Sequence, residues 1–155
     1  MRFSSVLLIL FVGCNSAQTP SEPVSLKHRT LASGGSPGAA GTRQLTLAAT
    51  PDAYQSLWSA IVGAGDPPPI DFSRETALFI VAGRRPTGGY AIAVKRLERE
   101  GDTLVVDAPV TAPPSGSMNI QVLTSPFAVV AIEKSGVTRT RWIDGAEAEG
   151  ATPKE

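Results

Sequence analysis

Residues 77–108 read ALFIVAGRRPTGGYAIAVKRLEREGDTLVVDA, and the spacing of their apolar residues decides the fold class. Ala77 to Ala82 is an apolar run too short for a packed helix, and Tyr90 to Leu97 and Thr103 to Ala108 are rich in β-branched residues. Gly83 with Thr87-Gly88-Gly89 separates the first two runs, and Glu100-Gly101-Asp102 separates the next two. The pattern predicts three successive strands. Downstream, Asn119 to Leu123, Ala128 to Glu133 and Thr138 to Ile143 carry the same signal, with Pro113-Pro114-Ser115-Gly116 as the longest connection.

Upstream the period changes. Thr50 can cap a helix, Pro51 suits its first turn and Asp52 favours the positive dipole end. Tyr54, Leu57, Trp58 and Ile61 then fall at i, i+3, i+4 and i+7, one face of a helix that packs on a sheet, and Gly63 and Gly65 end it. Asp66-Pro67-Pro68-Pro69 is expected to run extended over the surface as a contact loop before Ile70 to Phe72 return to the body. Val24 to Leu31 and Arg43 to Ala49 read as strands joined by a flexible loop, Ser33 to Gly41 (SGGSPGAAG). The expected fold is mainly β (α+β): an antiparallel meander or sandwich of about seven or eight strands, with one helix near residues 51–62.

The N-terminus reads as an address. Arg2 precedes an apolar run, Phe3 to Val12, followed by Gly13, Cys14 and polar Asn15 and Ser16. The run falls well short of the roughly 20 residues that span a bilayer as a helix, so it is expected to be a signal peptide over 1–13. Phe11-Val12-Gly13-Cys14 resembles a bacterial lipobox, with Phe11 where Leu is usual. That resemblance implies lipidation of Cys14, and it explains why an exported chain has a single cysteine. Asn15 differs from the Asp that retains lipoproteins at the inner membrane of enteric-type bacteria, so the expected location is the cell envelope, at the outer membrane or cell surface. Residues 14–23 form a polar tether, 24–144 one domain, and 145–155 a small, charged tail.

The 14 basic and 14 acidic residues cancel, leaving no basic stripe to attract a phosphate backbone, so nucleic-acid binding is not expected. Catalysis is not expected either. The sole histidine, His28, lies between Lys27 and Arg29 in a strand, with no nucleophile motif nearby. With Cys14 committed to the anchor, His28 has no partner for a zinc site, and Asp71, Glu75, Asp107, Glu133 and Asp144 lack the spacing of a calcium loop. No cofactor is expected.

The segment Gly83-Arg84-Arg85-Pro86-Thr87-Gly88-Gly89-Tyr90 has two readings. It serves as a hairpin connection, with Gly88-Gly89 supplying positive φ, or as a partner-binding loop, since arginine and tyrosine are enriched at interface hot spots. As a phosphate cradle it fails, lacking a Lys-Ser/Thr pair and a following helix.

That loop, followed by an alternating strand, Pro113-Pro114, and then Gln121-Val122-Leu123-Thr124-Ser125-Pro126-Phe127 with an apolar strand, resembles the PrcB C-terminal domain family over residues 77–132. The resemblance implies a lipoprotein associated with a bacterial surface protease complex, supporting assembly or stability of a chymotrypsin-like protease without being the catalyst. Arg85 to Tyr90 also resembles the NPTTGY loop of chagasin-type cysteine-protease inhibitors, with Arg85 in place of Asn; that similarity implies an inhibitor. The expected activity is therefore non-catalytic binding of an extracytoplasmic protein, a protease among the candidates, with inhibition and an envelope structural or ligand-binding role as alternatives.

Overall fold

The computed structural model describes residues 22–36, 41–63 and 65–144. The expected signal peptide, Cys14, most of the tether, part of the 33–41 loop and the tail lie outside the described residues. Ten strands and one helix follow in the order β1 (Val24–Ser25), β2 (His28–Ser36), β3 (Arg43–Ala48), α1 (Pro51–Ile61), β4 (Glu75–Ala82), β5 (Ala91–Ile92), β6 (Arg96–Glu100), β7 (Thr103–Asp107), β8 (Val110–Thr111), β9 (Ser125–Glu133) and β10 (Arg139–Trp142). The β-rich class with one helix is as the sequence predicts.

Two four-stranded sheets, ordered β2-β9-β4-β3 and β1-β6-β7-β10, share one core, and β5 and β8 form a small ribbon. Strands β4 and β9 are buried on both faces because their central residues, 77–82 and 126–132, are apolar at successive rather than alternate positions. Leu78, Ile80 and Ala82 of β4, with Ala128, Val130 and Ile132 of β9, meet Leu97, Leu104, Val106 and Trp142 of the second sheet. The intervening residues, Ala77, Phe79, Val81, Phe127 and Val129, meet Tyr54, Trp58 and Ile61 of α1. The architecture is thus sheet, sheet, helix.

The helix begins where capping chemistry places it. Thr50 Oγ1 accepts from Ala53 N at 3.3 Å, with Pro51 in the first turn. Its aromatic face also holds the proline run: Tyr54 Oη donates to the Pro68 carbonyl at 3.1 Å and Trp58 Nε1 to the Gly65 carbonyl at 3.1 Å. Burial pushes the Tyr54 hydroxyl above its ordinary pKa, keeping it a donor.

Several local expectations are corrected. The expected strand over 24–31 divides: β1 pairs with β6, whereas β2 pairs with β9 and runs on through Ser36, so Ser33 to Ser36 are strand, not loop. Small residues suit this pairing, since a Cβ on Gly34 would already meet the Phe127 ring at 3.4 Å. Of the two expected arrangements, meander or sandwich, the chain takes the sandwich: strands β2 and β3 are opposite edges of their sheet, separated by β9 and β4. The expected strand 90–97 breaks into β5, which pairs with β8, and β6, which pairs with β7. Residues 119–123 form no strand.

The last strand is parallel to its neighbour β7. A meander could not supply that pairing; side chains and backbone at the β6–β7 turn do. The Asp102 carbonyl accepts from Thr138 N and Arg139 N at 2.8 and 3.2 Å. The Asp102 carboxylate takes Arg139 through Nη2 at 2.5 Å and Nε at 3.1 Å. At the far end Trp142 is fully buried under the Arg43 guanidinium, 3.7 Å from its ring centroid, and Arg43 reaches on to Asp144 at 2.6 Å.

The hydrogen bonds from Arg139 hold the Asp102 carboxyl below the ordinary carboxylate range. A depressed folded-state pKa contributes stability that is present above the unfolded value of about 3.9 and is lost as pH falls through the folded one. Asp102→Asn is therefore expected to lower the melting temperature at pH 7, with the gap to the parent closing as pH falls below about 4. A gap that stays constant over that range would show that the carboxylate charge is not what fastens β10.

Candidate functional site

The loop Gly83–Tyr90 leaves β4 at the end of the sandwich where β9 begins. Gly83 is buried with φ +77°, and a Cβ there would lie 3.0 Å from the Arg43 backbone nitrogen, so only glycine lets the chain turn past β3. Arg85 and Thr124 then exchange both backbone hydrogen bonds, at 2.7 and 3.1 Å, and Gly88 N donates to the Ile120 carbonyl at 2.9 Å. Thr124 Oγ1 donates to the Thr87 carbonyl at 2.9 Å. The loop is thereby tied along its length to residues 120–124.

Within this frame the two arginines differ. Arg85 is half-buried and donates from Nη2 to the Ala82 carbonyl at 3.2 Å, and its guanidinium lies 5.9 Å from the Tyr90 ring centroid. Its buried Nε has no acceptor among the described residues. Arg84 is exposed, fixed only through its backbone N–H to the Gly41 carbonyl at 3.2 Å. Pro86 and Gly89 are also exposed, and Thr87, Gly88 and Tyr90 are half-buried. Arg85 builds the loop and Arg84 is presented by it.

The partner segment is the part sequence reasoning missed. Residues 119–123 were expected as a strand, yet Met118 is fully exposed, Ile120 is 74% exposed, and Val122 and Leu123 are about half exposed, at 48% and 53%. These four account for most of the large exposed apolar side chains among the described residues. Asn119 links the two loops: its side chain donates to the Ser117 carbonyl and hydroxyl at 3.2 and 2.6 Å, and it lies where a Cβ on Gly89 would be. The alternation Met118-Asn119-Ile120-Gln121-Val122 is a strand signal, but alternation alone does not say whether the apolar side is covered.

The other sequence candidates do not join this site. Cys14 lies outside the described residues. His28 is half-buried at the start of β2, opposite Ile132 and so at the other end of the sheet. Asp71, Glu75 and Glu133 line a shallow groove, also at that end, but Arg74 and Lys134 share it and Arg29 pairs with Glu75 at 3.1 Å. Hydrogen bonds from Ser73 hold the Asp71 carboxyl below its usual range. Asp107 lies opposite Arg96 in the register of β6 and β7, and Asp144 forms an ion pair with Arg43. Among the described residues no group of three or more His, Cys, Asp or Glu is arranged to hold a metal ion.

With this geometry in place, comparison with known families is decisive for one segment: residues 76–133 match the PrcB C-terminal family model. That segment is similar to the PrcB C-terminal family. The match begins in β4, contains both loops of the candidate site and ends with β9. The matched segment is thus the two-sided β4–β9 ladder with the excursion between its strands, while β1 to β3, α1 and β10 come from residues outside the match. No curated protein and no solved structure matches the chain.

Gly89 sets the fit between the two loops. Its φ is +83°, and a Cβ would overlap the Asn119 side-chain oxygen and approach Pro113 Cβ to 3.0 Å. Gly89→Ala is expected to destabilise the domain by about 1–3 kcal/mol, the usual cost of forcing a side chain into a strained backbone region. Urea unfolding measures it; an unchanged midpoint would mean that the loops do not pack as described.

Proposed function

We propose that this chain is a non-catalytic, lipid-anchored binding protein of the bacterial cell envelope that supports assembly or stability of an extracytoplasmic protease complex. The observation that carries this reading is the PrcB C-terminal match over 76–133, a family whose name-giving role is tied to a protease complex. The site supports it in kind. A rigidly tied loop presenting Arg84 and Tyr90 beside exposed apolar residues has the make-up of a protein contact, in which a few arginine and aromatic anchors carry most of the binding energy. The lipobox-like Phe11 to Cys14 would keep the domain at a membrane surface.

The test is a crosslinked pull-down of the full chain from its native membranes, with partners identified by mass spectrometry. The chain is expected to bring down a protease or its precursor. Tyr90→Ala should reduce that recovery severalfold, and Cys14→Ser should move the chain out of the membrane fraction. Recovery of no protease, or stoichiometric slowing of peptide hydrolysis by a papain-like protease, would overturn the complex-supporting reading, the second in favour of inhibition.

A further inference from the structure

We propose that the peptide bond between Met118 and Asn119 is a processing site, hydrolysed by an extracytoplasmic endoprotease whose primary pocket takes a long apolar side chain, and that the cut chain stays assembled as two paired fragments. The site is argued from the structure by itself; only the enzyme's location outside the cytoplasm rests on the reading above.

An endoprotease holds its substrate as an extended strand and bonds to the backbone on both sides of the scissile bond, so a folded chain is cut where backbone is exposed and free. Residues 112–123 contain no strand or helix, and residues 114–118 are all exposed. Among the described residues none of the backbone N–H groups of Met118 to Leu123 donates a backbone hydrogen bond. Met118 is fully exposed, and Gly116, with φ +79°, turns in open space. The nearest ties are the Ser117 N–H, which donates to the Pro114 carbonyl at 3.1 Å, and the Ile120 carbonyl, which accepts from Gly88. The Met118–Asn119 bond lies between them, and a protease cleft replaces each tie with a hydrogen bond of its own.

Side-chain chemistry selects the bond and the enzyme. Among the described residues, Met118 and Leu123 are the only exposed side chains of the set Leu, Met, Phe, Tyr and Trp. Leu123 is the poorer site, because Thr124 after it exchanges both backbone hydrogen bonds with Arg85 and Ser125 already belongs to β9. Arg84 is exposed, but its own N–H and that of Arg85 are both bonded, which disfavours an arginine-directed cut. In the reaction the protease's activated nucleophile attacks the Met118 carbonyl carbon, the C–N bond to Asn119 breaks as the leaving nitrogen takes a proton, and one water is consumed overall. A carboxylate on Met118 and an amine on Asn119 remain. The fragments have reason to stay together: β9, beyond the cut, lies between β2 and β4 in its sheet, and β10 pairs with β7.

The test has two arms. In the first, the purified full chain is treated briefly with chymotrypsin, the probe for this kind of pocket, and the fragments are mapped by mass spectrometry. The first cut within residues 24–144 is expected after Met118, with the two fragments co-eluting on gel filtration until denaturant is added. Met118→Asp should slow that cut about tenfold or more, because an apolar pocket rejects a charge, with melting temperature unchanged. Met118→Leu should be cut near the parent rate, and Leu123→Asp should leave the first cut where it is. In the second arm the chain is recovered from its native membranes, where it is expected as two fragments meeting at 118 and 119, and the Met118→Asp chain as one piece. A first cut elsewhere in 24–144, fragments that part without denaturant, or a native chain intact at 118 overturns the proposal. If the native chain is cut at 118 but no protease complex is recovered with it, the complex-supporting reading falls while the site stands. If the complex is recovered around an uncut chain, the site falls while that reading stands.

Discussion

The register between β4 and β9 is the constraint on which the rest of the molecule depends. Phe79 lies opposite Val129 and Leu78 opposite Val130, and both strands are buried on both faces. In a half-buried strand a slip of one residue is prevented by polarity, because it turns charges inward. Here both faces are apolar, so size takes over that role. The helix side must receive Phe79 and Phe127 under Tyr54 and Trp58, and the sandwich side must receive Leu78, Ile80 and Ile132 against Leu97 and Trp142. Exchanging the faces would leave a void under α1 and overfill the gap between the sheets, each costing on the order of 1–3 kcal/mol or more.

From that ladder the location of the candidate site follows. Strand β4 ends and β9 begins at the same end of the sheet, and the 42 residues from Gly83 to Thr124 that join them must leave and return there. They use the interval to build β5 to β8, the second sheet's centre and the small ribbon. The exit and the return are stitched to each other by Arg85 with Thr124 and by Gly88 with Ile120, so the loop 83–90 and the segment 118–123 are one structural unit although some thirty residues separate them. A core requirement, in other words, juxtaposes the arginines and the exposed apolar residues.

What was legible in the sequence was whatever local chemistry determines. Thr50-Pro51-Asp52 and the spacing of Tyr54, Leu57, Trp58 and Ile61 place α1 to within a residue, and the runs at 77–82 and 103–108 mark β4 and β7. The loop 83–90 was legible as a candidate because arginine, glycine and tyrosine cluster there. Features that depend on distant partners were not. Ser33 to Ser36 look too small to pack until Phe127 is seen lying over Gly34. The parallel entry of β10 hangs on Asp102, more than thirty residues earlier. The exposure of Ile120 and Val122 follows from the absence of a covering element among the described residues, which no local pattern encodes.

The central claim is that a doubly buried ladder holds, at one end, a positioned but uncovered segment. Hydrogen exchange on the free protein tests it most directly, since protection reports which amides open only on unfolding and which are bonded to nothing. Amides of 77–82 and 127–132 are expected to exchange most slowly, those of Arg85 and Gly88 to show intermediate protection, and those of 118–123 to exchange close to the unprotected rate. Protection of 118–123 comparable to that of β4 and β9 would contradict the account, because it would mean that these amides are hydrogen-bonded within the chain.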